Sequence, residues 1–451
     1  MPSMGRSWRV GEMVSPPKVS LEQQVSAEGD LDAKFVDYSP AEYRNVGLTY
    51  SSRIPDGAPR FYQRLDPIHE MAWEDMIGVR WEVISAETNT LTLDETGHLV
   101  HRLRKTFSPV VLSEADMYDH EVIIAMSAVT EWSQITGAQI AAILGTTTNH
   151  AERIMQKCYT AGLVARLTPP WLGEDNDASE SCGHVWRPLR NAWSFESFWK
   201  GVDSTSWALG LNGYDPTVGM PGANAPSSFR HNVASFETCL KAMECCPSVV
   251  GAWGEKRCVG TDFFDTRTVS GVEDIRANIG DGMMVTRGGR IIILETAGTS
   301  GAMAADGNNQ IVQKAAMWTS VIARSDFDIA VIFLDISRRS SPAWLRRYVS
   351  VGVESLSKSY LVSDKARKQA AENIFVVDSR EWFPVSRGIS EGFTTLDAWC
   401  VADRKRRPAI NEPAGLPVTR DHVINTVGAL ATPSWIGNER LSAAERLELS
   451  A

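Results

Sequence analysis

The sequence predicts a multidomain α/β chain, in which a three-helix unit with a short β-wing precedes a larger mixed-sheet α/β domain. Three observations carry this expectation. Apolar residues recur at helical spacing in consecutive segments between residues 116 and 160. A stretch rich in Gly, Pro, Ser and Asn at 201–228 reads as a linker. Beyond residue 229, helical patterns alternate with apolar runs of strand length, as in a central sheet covered by helices. The 451 residues, 43% of them hydrophobic, suffice for two or three domains with real cores.

The division runs as follows. Residues 1–60 are polar, Pro-punctuated and mostly irregular. Residues 61–115 form a small β-rich region, with short strands at Arg80–Ile84, Thr90–Leu93 and Leu99–Leu103. A winged helix-turn-helix occupies 116–200. Its first helix carries Val122, Met126, Val129 and Trp132 on one stripe, and its second, Ala138–Leu144, presents Ile140, Ile143 and Leu144. Gly145 allows a tight turn, and Thr146, Thr147 and Thr148 offer capping hydroxyls to a third helix. There Ala151, Ile154, Met155 and Cys158 face inward. Leu163–Leu167 and Val185–Leu189 read as the two wing strands.

After the 201–228 linker, the α/β domain is expected over 229–400. It has helices at Arg230–Cys246, Asn308–Arg324 and Pro342–Ser357, with strands at Val249–Trp253, Asp328–Asp335 and Ile374–Asp378. Met283–Thr286 and Ile291–Thr296 form a hairpin through Arg287–Arg290. A loosely ordered tail, 401–451, carries the basic run Arg404–Arg407.

Net charge −10 argues against a protein whose whole surface coats nucleic acid, but leaves room for a local basic face. No apolar run approaches the length that spans a bilayer, and residues 1–9 lack the apolar core of a secretory signal, so no membrane association is expected. Seven Cys, an odd number without a C-x-x-C pair, point to reduced thiols in the cytoplasm.

Two constellations carry candidate chemistry. On the third helix the outward residues are Thr148, Asn149, His150, Arg153, Gln156 and Lys157. With Arg166 on the wing, they are the side-chain types that reach phosphates and base edges from the major groove of duplex DNA. In the second domain, Asp281 opens one hairpin strand and Glu295 closes the next. Two such carboxylates side by side suit a hard ion such as Mg²⁺, which assists phosphodiester hydrolysis. Lys314, or less favourably Gln313, on the following helix supplies a nearby polar group. Glu237 and Glu255 are candidates for a further acid.

Taken together, these stretches resemble the replication-relaxation family of plasmid and phage proteins. The likeness covers about residues 117–385 and rests on the order and spacing of several segments: Gln156–Val164, Phe229–Ala234, Trp253–Arg257, Gly280-Asp281 with Arg290–Glu295, and Phe375–Asp378 followed by Glu381-Trp382-Phe383. It implies a winged helix followed by a restriction-endonuclease-like domain of PD-(D/E)XK type. It also implies DNA handling in plasmid mobilisation or replication, alongside other mobilisation or replication proteins.

Three departures stand out. Gly280 replaces a Pro, Gly254 replaces a Ser, and Ala297 stands where the pattern has Lys. With that Lys gone, the leading expectation is a DNA-binding accessory protein whose nuclease-like domain is degenerate. The alternatives are an active Mg²⁺-dependent endonuclease, with Asp281 and Glu295 holding the metal and Lys314 and Glu255 assisting, and an interaction protein that never meets DNA. Oligomeric state is not legible in the sequence.

Overall fold

In a computed structural model, the described residues are 35–36, 67–68, 80–82, 90–92, 119–144, 146–169, 182–189, 229–246, 248–255, 280–286, 288–298, 310–325, 327–337, 343–355, 362–384 and 389–410. The strand expected at Leu99–Leu103, the linker at 201–228, and nearly all of the irregular segment expected at 1–60 lie outside them.

Strands β1 (Phe35–Val36), β2 (Arg80–Glu82) and β3 (Thr90–Thr92) come first. Helix α1 (His120–Trp132) starts at Asp119, whose carboxylate accepts from the Glu121 backbone N–H at 3.0 Å. A two-residue strand, β4 (Ile135–Thr136), leads directly into α2 (Gly137–Leu144). Helix α3 (Thr148–Thr160) is capped by Thr147, whose hydroxyl accepts from His150 N–H. It buries Ala151, Ile154, Met155 and Cys158, because those positions recur at 3.6-residue spacing. Strands β5 (Val164–Leu167) and β6 (Val185–Pro188) pair antiparallel behind it.

The sheet is wider than a two-stranded wing. Its order is β3-β2-β5-β6-β4. The strands expected to form a separate region at 61–115 therefore extend the same sheet, through the pairing of β2 with β5.

The second sheet has seven strands. Helix α4 (Phe229–Cys245) precedes an antiparallel meander of β7 (Val249–Gly254), β8 (Gly282–Thr286) and β9 (Ile291–Ala297). Helix α5 (Gln310–Arg324) then crosses to β10 (Ile329–Asp335), which lies parallel to β9. Helices α6 (Ala343–Ser355) and α7 (Asp364–Ala371) lead to β11 (Ile374–Asp378), parallel to β10. A short helix α8 (Ser379–Trp382) follows, then β12 (Ile389–Ser390), which pairs with β1.

A hairpin, β13 (Asp397–Cys400) and β14 (Arg406–Pro408), completes the sheet, whose order is β14-β13-β11-β10-β9-β8-β7. Over residues 401–410 this replaces the loosely ordered tail expected at 401–451; residues 411–451 lie outside the described residues. The run Arg404–Arg407 forms a turn and an edge strand, and Ala409 and Ile410 behind it are buried. Arg406 pairs with Glu381 and Asp397, and Arg407 donates to the Glu372 carbonyl.

Strands β9 and β10 read as continuous apolar runs because both faces of the sheet are covered. Ile291, Ile293, Val331 and Phe333 pack beneath α5 and α6. Ile292, Leu294, Ile332 and Leu334 belong to a second cluster that continues through α4 into α1, α2 and α3. The helical unit and the sheet domain thus share one core. Trp132 of α1 stacks on Phe236 of α4, with ring centroids 4.5 Å apart. Gln139 Nε2 donates to the Val233 carbonyl and to Glu237, both at 3.0 Å, and Asn232 donates to Gln134 at 3.0 Å. Gly282, beside Asp281, lets this junction close: a Cβ there would stand 2.9 Å from Cys239 Sγ and 3.4 Å from the Trp132 ring.

Among the described residues, no helix is long and apolar enough to cross a membrane. Cys158, Cys182, Cys239, Cys246 and Cys400 are buried.

Candidate active site at the end of the central strands

Two helices approach one end of the seven-stranded sheet from opposite faces, and four charged side chains meet between them. Gly282 pairs with Leu294, so extending the register by one residue sets Asp281 opposite Glu295. The Asp281 N–H donates to the Leu294 carbonyl at 2.9 Å. Its Oδ2 accepts from the Thr296 N–H at 2.6 Å. Its Oδ1 faces His231 Nε2, from the first turn of α4, at 2.8 Å and Lys314 Nζ, from α5, at 3.6 Å.

Glu295 is only 2% exposed. Its Oε2 accepts from Lys314 and its Oε1 from Trp318 Nε1, the latter at 2.5 Å. Lys314 and Trp318 are four residues apart on α5, so both reach the strand from one helix face. The outcome is a chain of contacts, His231–Asp281–Lys314–Glu295–Trp318, open to solvent mainly at His231 and Lys314.

The charges explain one another. Burial pushes Asp281 upward, but His231, Lys314 and the Thr296 N–H outweigh it and hold this carboxyl well below the usual range. Burial raises Glu295 as well; Lys314 opposes this and Asp281 adds to it, so Glu295 is pushed up to about 7. Burial disfavours the charged forms of Lys314 and His231, yet the neighbouring carboxylates raise both.

A pH dependence follows for the metal-free protein. A carboxyl raised in the fold contributes stability below its ordinary value of 4.5, and that contribution is lost as pH rises to about 7. Asp281, being lowered, acts with the opposite sign, but only below the ordinary carboxylate range. With chelator present, the thermal midpoint of the wild type is therefore expected to fall between about pH 5 and pH 7. Glu295→Gln should flatten that fall in a calorimetric pH series.

The other candidates divide. Gln313 is exposed and turned away, leaving Lys314 as the group that reaches the carboxylates. Glu255 stands at the junction with α1, where it accepts from Ser133 at 3.2 Å; it lies close enough to His231 to raise it. Glu237 is buried against Gln139, away from the cluster. His231 is the residue that sequence reasoning missed. No group at a recognisable spacing marks it in the sequence, since Asp281 lies 50 positions further on.

Among the candidate DNA contacts, Asn149, Arg153, Gln156 and Lys157 are exposed along α3. Arg153 lies 3.4 Å from His150 Nδ1, and Lys157 lies 3.9 Å from Asp119. Thr148 is half-buried at the helix start. His150 is paired with Glu121 at 2.9 Å. Arg166 turns to Glu82 of β2, at 2.5 Å, and to Gln156 at 3.2 Å. Its guanidinium is engaged within the protein rather than projecting from a wing.

Two buried carboxylates on adjacent strands, both turned to one ammonium, are a hard-oxygen donor pair. Mg²⁺ needs only one or two carboxylates because it keeps several waters, so Asp281 and Glu295 fit it. Among the described residues no group of three or more His, Cys, Asp or Glu side chains is arranged to hold an ion. No family model, curated protein or solved structure matches this chain.

Proposed function

We propose that this protein is a Mg²⁺-dependent phosphodiester hydrolase acting on duplex DNA, with the three-helix unit as its targeting half. The observation that carries the reading is the placement of Lys314 against both Asp281 and Glu295. The sequence had argued against cleavage because Ala297 stands where a lysine was expected. An ammonium delivered from α5 instead supplies the missing charge. The order of elements supports the same reading: a helix, three antiparallel strands, a second helix and a parallel strand, with Asp before the second strand and Glu near the end of the third.

Asp281 and Glu295 would hold the ion, which when bound supplies the Lewis acidity that phosphodiester hydrolysis requires. Thr296 N–H and Trp318 fix the orientation of the two carboxylates before the ion and substrate arrive. Lys314, partly exposed, orients a phosphate against the carboxylates and offsets charge that develops on its oxygens. The reading is tested by incubating the protein with supercoiled plasmid. Nicking with Mg²⁺, none with chelator, and none in Asp281→Asn are expected. Nicking that persists in Asp281→Asn would defeat the assignment.

The proposed targeting face is the exposed side of α3, entering the major groove as the second helix of a helix-turn-helix does. Arg153→Ala and Lys157→Ala should each weaken duplex binding and reduce the slope of log affinity against log salt by about one. Arg166→Ala should leave that slope unchanged, because its partner is Glu82. Fluorescence anisotropy across a salt series measures both.

A second reading has its own observation. Every carboxylate oxygen of Asp281 and Glu295 already has a protein donor, and two acids face two bases. Such a self-satisfied network suits an accessory DNA-binding protein whose sheet domain no longer cleaves. Salt-dependent duplex binding without any Mg²⁺-dependent nicking would favour it.

A further inference from the structure

We infer that His231 is a positioning residue that guards Asp281 Oδ1: it holds the carboxylate in place while the ion is absent and is the donor displaced when the ion enters. The inference rests on the reading of Asp281 and Glu295 as ion ligands.

The four carboxylate oxygens are not equally accessible. Asp281 Oδ2 is held by the Thr296 backbone N–H, which belongs to a buried strand. Glu295 Oε1 is held by Trp318, which is fully buried on α5. Neither donor can leave without disturbing the core. Glu295 Oε2 and Asp281 Oδ1 share Lys314, and Oδ1 alone also takes His231.

The two movable donors are those with partly exposed side chains. Lys314 contacts both carboxylates, so it can give up its longer contact to Asp281, at 3.6 Å, and stay on Glu295. Among the described residues His231 forms an ion pair with Asp281 alone, at 2.8 Å from Oδ1, while Glu255 acts on it from further off. Its displacement therefore frees the oxygen an incoming ion needs.

The backbone around His231 is tied to the same site. Ser235 Oγ donates to the His231 carbonyl at 2.7 Å and lies 2.7 Å from Thr296 Oγ1. Thr296 is the residue whose N–H holds the other oxygen of Asp281. One turn of α4 thus couples both sides of this carboxylate: the fixed donor through Thr296 and the movable one through the imidazole.

The test is ion binding without DNA. The metal-free full-length protein is titrated with Mn²⁺ by isothermal calorimetry, alongside His231→Ala, His231→Gln and Asp281→Ala. His231→Ala removes a charge-assisted contact that competes for Oδ1, so it should bind Mn²⁺ about tenfold more tightly. His231→Gln keeps an N–H donor and the volume of the side chain, so it should stay within about threefold of the wild type. Asp281→Ala should lose the site. Equal or weaker binding by His231→Ala, with the wild type still binding through Asp281, overturns the role of His231 and leaves the ion site standing. No Mn²⁺ binding by the wild type or by either His231 variant overturns both readings. Binding unaffected by Asp281→Ala places the ion elsewhere and overturns both as well.

Discussion

At about pH 8, where Glu295 is ionised, Lys314→Ala is expected to lower stability by about 3 kcal/mol, because two buried carboxylates lose the ammonium they share. The side chain is only partly exposed, so solvent replaces little of what is lost. Asp281 would keep His231 and the Thr296 N–H, whereas Glu295 would keep only Trp318 among the contacts described. Most of the cost should therefore fall on Glu295. The double variant Lys314→Ala, Glu295→Gln should recover a large part of the loss, since an amide carries no charge to be stranded. Denaturant unfolding of the two single variants and the double variant measures this coupling. Equal and additive losses would mean that the two side chains do not interact.

Gly298→Ala is the second large effect. Gly298 has φ +136°, which an L side chain rarely adopts, and it follows directly on β9. A Cβ there would stand 2.5 Å from the Ser337 nitrogen and 2.8 Å from the Ile336 carbonyl carbon. Those are backbone atoms at the end of β10, tied by the Ile336 N–H to the Ala297 carbonyl at 2.7 Å. They cannot swing aside as a side chain would. The strand must shift instead, and Thr296, two residues back, holds Asp281. A stability loss of about 3 kcal/mol or more is expected. On the proposed reading, plasmid nicking should fall further than the fraction of unfolded protein explains. A thermal midpoint equal to that of the wild type would show that the strand end relaxes freely.

What the sequence made legible depends on how local each determinant is. The helices from His120 to Thr160 follow from apolar periodicity and hydroxyl caps, both contained within a few residues. The hairpin that brings Asp281 opposite Glu295 is equally local, because the Gly288-Gly289 turn fixes its register. Lys314 was visible as a candidate, but its contacts depend on the packing of α5 against β9, which no short pattern encodes.

His231 was the harder case. It reaches Asp281 from the opposite face of the sheet, 50 positions earlier in the chain, and its helical pattern resembles that of any amphipathic start. Arg166 failed for the same reason in reverse: its partner, Glu82, comes from a strand assigned to another region. At the C-terminal end, the run of basic residues Arg404–Arg407 concealed a hairpin. Its apolar anchors, Cys400, Ala409 and Ile410, are too sparse to register as a strand pattern.

On the proposed reading, the ammonium of Lys314 stands in for the lysine missing at position 297. Ala297 lies two residues after Glu295 on the same strand and so projects from the same face. Single-turnover plasmid nicking with Mg²⁺ should be compared in the wild type, Lys314→Ala, and the double variant Lys314→Ala, Ala297→Lys. A fall of about 10³-fold is expected in Lys314→Ala, with a substantial part restored when the lysine is returned from β9. Nicking by Lys314→Ala at the wild-type rate would overturn the role proposed for this ammonium.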